Sequence, residues 1–481
     1  MATDIGPFST AIEMLDALEE RRVSAVELVE DHLAWIEKHD GVLNAIPVRT
    51  PERAIEAAKR ADEARAAGER RALLGLPMTL KESTQVAGLP QSAGIAPLSD
   101  YRPADDGPIA RAVFDAGACL LGKTNIPEAV ADWQADSEVY GRTNNPWDLT
   151  RTPGGSTGGG AAALAAGMTP LEIGSDIGGS IRVPAAYCGV YGHRPSQTAV
   201  PTTGAFPFAD LPNPAIVMAV QGPLARSARD LELLFDVVSG PVVGEAVGWR
   251  LDLPPARHDR LADFRVAIMP PLDLAQPSEA MRGKVEELAA LLRGAGATVD
   301  ETMPTLHDGY FHDYGMLLTA ITTQAQSREE REAESARLAD HDEPFARAMS
   351  AGLTLDAPGL YQLLNRRERA RVTWREFFTD WDILVCPAAL DAAFPHQTGP
   401  QHGRTLSVDD RTLPYSMNMA YPMIPILPGQ PATAFPAGLN ADGLPLGLQG
   451  IGPYLEDRTT LRFAQLLERE WRGFEPPPAF R

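Results

Sequence analysis

Two glycine-rich turns, each carrying a serine hydroxyl, and a small set of lysines are the residues best suited to chemistry in this chain. The first turn reads Pro153-Gly-Gly-Ser-Thr-Gly-Gly-Gly160 and the second Gly174-Ser-Asp-Ile-Gly-Gly-Ser-Ile-Arg-Val-Pro184, with an alanine-rich run between them. Glycine lets the backbone turn with positive φ and come close to another group. Successive N–H groups around such a turn form an anion cradle. Ser180 is the candidate nucleophile, and the backbone N–H groups of Ile177, Gly178, Gly179 and Ser180 are the candidate oxyanion site. Without those N–H groups the same residues would be an ordinary glycine turn.

A serine hydroxyl is a weak nucleophile at neutral pH and needs a base beside it. His193 is the histidine nearest the second turn, and in Gly192-His-Arg-Pro a solvent-facing or packing role is expected for it. His307 and His312 are five apart, a poor spacing for one helical face, and no zinc pattern surrounds them. The lysines are Lys38, Lys59, Lys81, Lys123 and Lys284. Lys38, Lys59 and Lys284 fall on polar helical faces and read as solvated. Lys81 and Lys123 both end apolar runs that read as strands, where burial would lower the amine's pKa and make it a base. On physical grounds either qualifies.

The chain resembles the amidase signature family. The resemblance rests on Gly154-Gly-Ser156-Thr-Gly-Gly, on Gly174-Ser-Asp-Ile-Gly-Gly-Ser180-Ile-Arg182-x-Pro184-Ala-Ala-x-Cys188-Gly and on Gly75-Leu-Pro-Met-Thr-Leu-Lys81-Glu. It extends to Gly141-Arg-Thr-Asn-Asn-Pro-Trp-Asp-x-x-Arg151-Thr-Pro-Gly-Gly and to Pro436-Ala-Gly-x-x-x-Asp-Gly-Leu-Pro-Leu-Gly-Leu-Gln449, in order over most of the chain. It implies that Lys81 is the base and that Ser156, held through a cis peptide bond, relays a proton between Lys81 and Ser180. A structural role then falls to Lys123, and Asp176 and Arg182 hold the turns. It implies hydrolysis of carbon–nitrogen bonds in carboxamides, anilides or carbamates, or of esters, through an acyl-enzyme, with no metal or organic cofactor. Two departures are Thr157, where relatives often have serine, and Gly160, where they often have a small or acidic residue.

The elements that must position these residues read as an α/β fold: one large domain over residues 1–481, with a mixed central sheet covered by helices on both sides. The signature core spans about 70–195. Ser24 with Glu27 forms a capping-box pattern, and Thr50-Pro51 opens a further helix that Gly68 closes. Strands are expected at Leu73–Leu80, Cys119 onward, Gly167–Gly174, Phe264–Met269, Ala297–Val299 and Asp382–Cys386. Helices are expected over Ile109–Ala116, from Ser227 to Val238, Ser278–Arg293 and about Asp457–Trp471. Residues 306–380 read as helical and 387–430 as loop, together the pocket-forming region about 306–430. Trp133, Gln134, Phe206, Phe208 and Met417, with the rest of 416–424, are the expected pocket walls; core packing explains each of them equally well.

The 481 residues carry a net charge of −21, unsuited to a phosphate backbone, so no nucleic acid is expected as partner. No stretch reaches the length of a spanning helix, and the N-terminus lacks a signal-peptide pattern, so no membrane is expected either. Cys119, Cys188 and Cys386 lie far apart in apolar contexts and read as free thiols, consistent with a cytoplasmic monomer or homodimer acting on a small-molecule amide or carbamate. Two rival readings stand beside this one. Gly155-x-x-Gly158-x-Gly160 imitates a dinucleotide-binding loop, but Arg151-Thr-Pro-Gly rather than a strand precedes it. The amidase subunit of a tRNA-dependent amidotransferase, which needs partner subunits, shares the same signature.

Overall fold

The computed structural model of the chain describes residues 5–207, 217–242, 244–339, 341 and 344–481. Its centre is an eleven-stranded mixed sheet. In spatial order the strands are Val48–Arg49, Cys119–Thr124, Pro77–Lys81, Leu171–Asp176, Val220–Ala225, Tyr191–Arg194, Ala432–Leu439, Pro445–Ile451, Ile383–Pro387, Arg265–Ile268 and Thr298–Glu301. Two parallel trios, at Cys119–Thr124/Pro77–Lys81/Leu171–Asp176 and at Ile383–Pro387/Arg265–Ile268/Thr298–Glu301, flank an antiparallel centre.

Alternation along single strands shows how both faces are covered. Val266 and Ile268 enter one apolar core and Ala267 enters the other; Ile383 and Val385 divide from Leu384 and Cys386 in the same way. The first core receives helices Ala11–Glu19, Ala25–His39, Pro51–Ala66, Ala228–Val238, Glu279–Ala295 and Asp457–Glu470. The second receives Tyr310–Thr322, Ala357–Asp380 and the segment 415–427. The strand Pro77–Lys81, at the edge of the site, is fully buried along its length.

Most expected elements are present, several with shifted bounds. The capping box of Ser24 and Glu27 is formed in both directions, and Ser227 and Ser278 cap their helices. The run from Leu73 enters the sheet only at Pro77. Tyr191–Arg194 and Val220–Ala225 are strands that the pattern did not announce, because Gly192, Gly222 and Pro223 interrupt the alternation. The segment expected as loop holds a hairpin, Thr405–Val408 with Arg411–Pro414. The dinucleotide reading fails locally: Gly158 opens the helix Gly158–Ala165, and among the described residues no strand feeds the turn before it. Cys119, Cys188 and Cys386 are free and buried. No helix among the described residues is long and apolar enough to cross a membrane.

Candidate active site

Strand geometry brings the site together. Lys81 is the last residue of Pro77–Lys81, and Ser175 and Asp176 end the neighbouring parallel strand Leu171–Asp176. The first glycine turn leads into Gly158–Ala165, and its Gly155–Ser156 peptide bond is cis. The second leads into the helix Arg182–Cys188. The two turns are tied together by the Thr157 N–H, which donates to the Ser180 carbonyl at 3.2 Å. Gly179 has φ +94°, and a Cβ there would lie 2.6 Å from Pro422, so the 416–424 segment lies directly against the turn.

Lys81 is fully buried, with its Nζ 2.6 Å from Ser156 Oγ and 2.9 Å from Ser175 Oγ. No ion pair to its amine forms among the described residues. Burial lowers its pKa to about 7, against the opposing pull of Asp176 and Glu172. Glu82, the next residue, points the other way: its carboxylate accepts from Ser92 N and Oγ, Ala93 N and Tyr140 OH. Lys123 is equally buried but donates to the Pro90 carbonyl. Burial lowers it to about 8, with Glu82 opposing. Ser156 is fully buried and Ser180 nearly so.

Asp176 organises the second turn. Its Oδ1 accepts from Gly179 N at 3.0 Å and its Oδ2 from Ile181 N at 3.2 Å, while Arg182 grips both oxygens through Nη2 and Nε at 3.0 Å each. Burial alone would raise this carboxyl; Arg182, with Arg194 and the Gly179 N–H, holds it below the usual carboxylate range. The Gly179 N–H is therefore committed to the turn. Ile177, Gly178 and Ser180 carry the N–H groups that take no backbone or side-chain acceptor among the described residues. The carbonyls of that turn are pinned from outside: Tyr314 OH donates to Ile177 O at 2.7 Å and Trp133 Nε1 to Gly178 O at 3.0 Å. With its carbonyls held outward, the turn cannot flip its peptide planes without breaking these bonds.

The expected pocket walls fare unevenly. Trp133 reaches the second turn and packs against Tyr415, ring centroids 5.4 Å apart. Gln134 spends its amide on Gln397, accepting from its N–H at 2.8 Å and donating to its carbonyl at 3.0 Å. Met417 is buried in the second apolar core. Phe206 is 37% exposed and belongs to neither core. Phe208 lies outside the described residues. His193 is fully buried rather than solvent-facing, bonded to Thr433 Oγ1 at 2.9 Å and Asp457 Oδ1 at 3.2 Å. It takes no part in the Lys81 cluster. His307 meets Asp313, not a metal ligand set.

Sequence reasoning passed over Ser175, Tyr314 and Asp132. Ser175 carries a signal, a second hydroxyl beside Asp176 in the same turn. Asp132 accepts from Tyr415 OH and pairs with Arg404, both at 2.5 Å, tying the Trp133 loop to the hairpin beyond residue 400. Neither Tyr314 nor Asp132 carries a local pattern.

A family model for amidases matches residues 27–461. The A subunit of the glutamyl-tRNA(Gln) amidotransferase of Moorella thermoacetica (strain ATCC 39073 / JCM 9320) is 31% identical over 496 residues, covering 96% of each chain. Among solved structures, an inhibitor-bound vestigial protein complex, described as revealing the evolutionary origins of an s-triazine catabolic enzyme, superposes with TM-score 0.81 at 28% identity, covering 96% of this chain and 98% of that one. A bacterial aryl acylamidase of the amidase signature family superposes with TM-score 0.78 at 25% identity, over 97% and 96%. The family model spans nearly the whole chain, which belongs to the amidase signature family of amidohydrolases.

Proposed function

We propose that this chain is a serine hydrolase of small-molecule carbon–nitrogen bonds, in which Ser180 attacks the carbonyl, Ser156 relays the proton and Lys81 receives it. The observation that carries the reading is the 2.6 Å contact between the Lys81 amine and Ser156 Oγ in a buried setting where no carboxylate among the described residues pairs with that amine. A neutral amine accepts the Ser156 proton as Ser156 takes that of Ser180. The Ser180 oxygen bonds to the carbonyl carbon, and the new oxyanion faces the N–H groups of Ile177, Gly178 and Ser180. Collapse breaks the carbon–nitrogen bond as the proton returns through Ser156 to the leaving nitrogen. Water, deprotonated by the same relay, then releases the acid and restores Ser180. Asp176 and Arg182 keep the turn in shape.

The walls around the turn favour an uncharged acyl or carbamoyl group, aromatic or aliphatic: Trp133 and Tyr415 are amphipathic, and the carboxylate of Asp132 is already paired with Arg404. The likeness to an aryl acylamidase supports anilides among the substrates. The residues act as one catalytic body without a metal, nucleic acid or membrane, as a cytoplasmic monomer or homodimer. A panel of carboxamides, anilides, carbamates and esters, with free glutamine as control, tests this; activity confined to glutamine would reject it.

The similarity to the glutamyl-tRNA(Gln) amidotransferase chain supports a second reading, in which this protein acts on its amide only within a larger assembly. Purification from the native host separates the two: a lone active chain supports the first, obligatory copurification of partner subunits the second.

A further inference from the structure

Behind the Lys81–Ser156 pair lies a buried acid that the proposed mechanism does not use. Glu172 is fully buried on the Leu171–Asp176 strand. It pairs in register with Thr79, and Lys81 pairs with Thr124 on the next strand over, so alternation puts Glu172, Thr79, Lys81 and Thr124 on one face of the sheet. Glu172 Oε1 accepts from Thr124 Oγ1 at 2.7 Å. Its Oε2 is buried with no hydrogen-bond partner among the described residues.

The helix Gly158–Ala165 makes room for this carboxyl. A Cβ on Gly160 would lie 2.6 Å from Glu172 Cγ, 2.7 Å from Cδ and 2.8 Å from Oε1. One helical turn earlier, Thr157 faces Gly174, where a Cβ would lie 2.6 Å from Thr157 Oγ1. Residues 157 and 160 share a helix face and 172 and 174 share a strand face, so both contacts belong to one interlayer patch. Thr157 Oγ1 is the second buried polar atom of that patch with no partner among the described residues. A threonine hydroxyl can donate to a carboxylate or accept from a carboxylic acid, so the two atoms suit each other in either state of Glu172. With no cation bonded to it, an ionised carboxylate held only by threonine hydroxyls would stay under-solvated in this layer.

The charges around it agree. Lys81 is the titratable group that faces Glu172 from the Pro77–Lys81 strand, and its amine bonds to the two serines rather than to this carboxyl. From Cys119–Thr124 comes the neutral Thr124, with Lys123 on the opposite face beside Pro90. Gly158–Ala165 and Val220–Ala225 contribute no ionisable side chain. Asp176, farther along the strand, is neutralised by Arg182. Burial raises the Glu172 carboxyl to about 8, with Thr79, Thr124 and Lys81 opposing.

We propose that Glu172 keeps its proton in the resting enzyme and acts as a positioning residue, its neutral acid bracing Thr157, and with it the Ser156 turn, while leaving the Lys81 amine without a counter-ion. This rests on the proposed role of Lys81 as base.

The test uses the full chain and two readouts. An infrared difference spectrum at pH 7 of wild type minus Glu172→Gln should contain a protonated-carboxyl stretch; an ionised-carboxylate stretch in its place overturns the proposal. The second readout is the rate of Ser180 modification by phenylmethylsulfonyl fluoride against pH, followed as adduct mass. Glu172→Gln, which keeps a neutral hydrogen-bonding group, should slow the reaction by about threefold with its acid midpoint unmoved. Glu172→Leu should slow it by about tenfold or more. If Gln moves the midpoint down by about a unit, Glu172 was the counter-ion of a charged Lys81 and the proposal is wrong. If Gln rescues no better than Leu, the bracing role is wrong. Should wild type take no adduct on Ser180, it is the catalytic reading that fails, and the infrared band still decides the state of Glu172.

Discussion

Lys81 is the last residue of its strand and Lys123 the last but one of the neighbouring parallel strand, and both are fully buried. Burial brings the two amines to similar pKa values, about 7 and about 8. Their surroundings differ because the pairing is offset by one residue: Lys81 lies opposite Thr124, and Lys123 opposite Leu80, so the amines leave the sheet on opposite faces. Lys81 finds the hydroxyls of Ser156 and Ser175. Lys123 finds the Pro90 carbonyl and the field of Glu82. A hydroxyl both accepts and donates a proton; a carbonyl only accepts a hydrogen bond. Desolvation can make either lysine a base, but only partners able to pass a proton make it a useful one.

The sharpest way to break that contrast is to remove each amine in turn. In the proposed mechanism Lys81→Ala should lower kcat/KM by about a thousandfold or more, and Lys81→Arg should do no better, because guanidinium stays protonated. Lys123→Ala should instead act on stability, by about 1–3 kcal/mol in urea unfolding, because it leaves a buried acceptor unpaired. A dead Lys123→Ala beside an active Lys81→Ala would invert the assignment.

Ser156→Ala tests the hydroxyl rather than the amine. It cuts the proton path while sparing Lys81 and Ser180, and a loss of about a hundredfold or more in kcat is expected in stopped assays. A loss below tenfold would mean that Lys81 reaches Ser180 without a relay.

The pH profile sharpens the comparison further. Lys81 is protonated, and useless as a base, below its lowered pKa; activity should therefore rise through a single ionisation near pH 7 and stay high in mild alkali. Lys123→Ala should keep that limb. A profile falling above pH 7, or a limb that moves with Lys123, would contradict the reading.

The smallest effect is expected at the pinned carbonyls. Tyr314→Phe removes the hydroxyl that holds Ile177 O and should lower kcat by about three- to tenfold with little change in KM. An effect on KM alone would place Tyr314 in substrate binding instead.

Local chemistry was legible in the sequence wherever a short pattern carries it. The Ser24–Glu27 capping box, the proline-opened helix at Pro51 and the apolar run ending at Lys81 each express their structure within a few residues. The two serine turns are likewise self-announcing, since their glycines serve the turn itself. What stayed illegible depends on partners far along the chain. Tyr314 meets a carbonyl 137 residues away and His193 a carboxylate 264 residues away, so the burial of His193 has no local sign. The commitment of the Gly179 N–H to Asp176 is nearer, but backbone N–H groups look alike in sequence, and only the folded turn sorts the engaged from the open ones. The pocket walls were the weakest part, because apolar residues look the same whether they line a cavity or fill a core: Met417 lies in the core and Phe206 is exposed.

The measurement that tests the central claim most directly is covalent trapping of the nucleophile. Intact protein treated with phenylmethylsulfonyl fluoride near pH 8, digested and sequenced by mass spectrometry, should carry one adduct, on Ser180. That adduct should be lost in Ser180→Ala, form far more slowly in Lys81→Ala, and form at close to the wild-type rate in Lys123→Ala. A stoichiometric adduct on another serine, or unimpaired labelling of Ser180 without Lys81, would contradict the account.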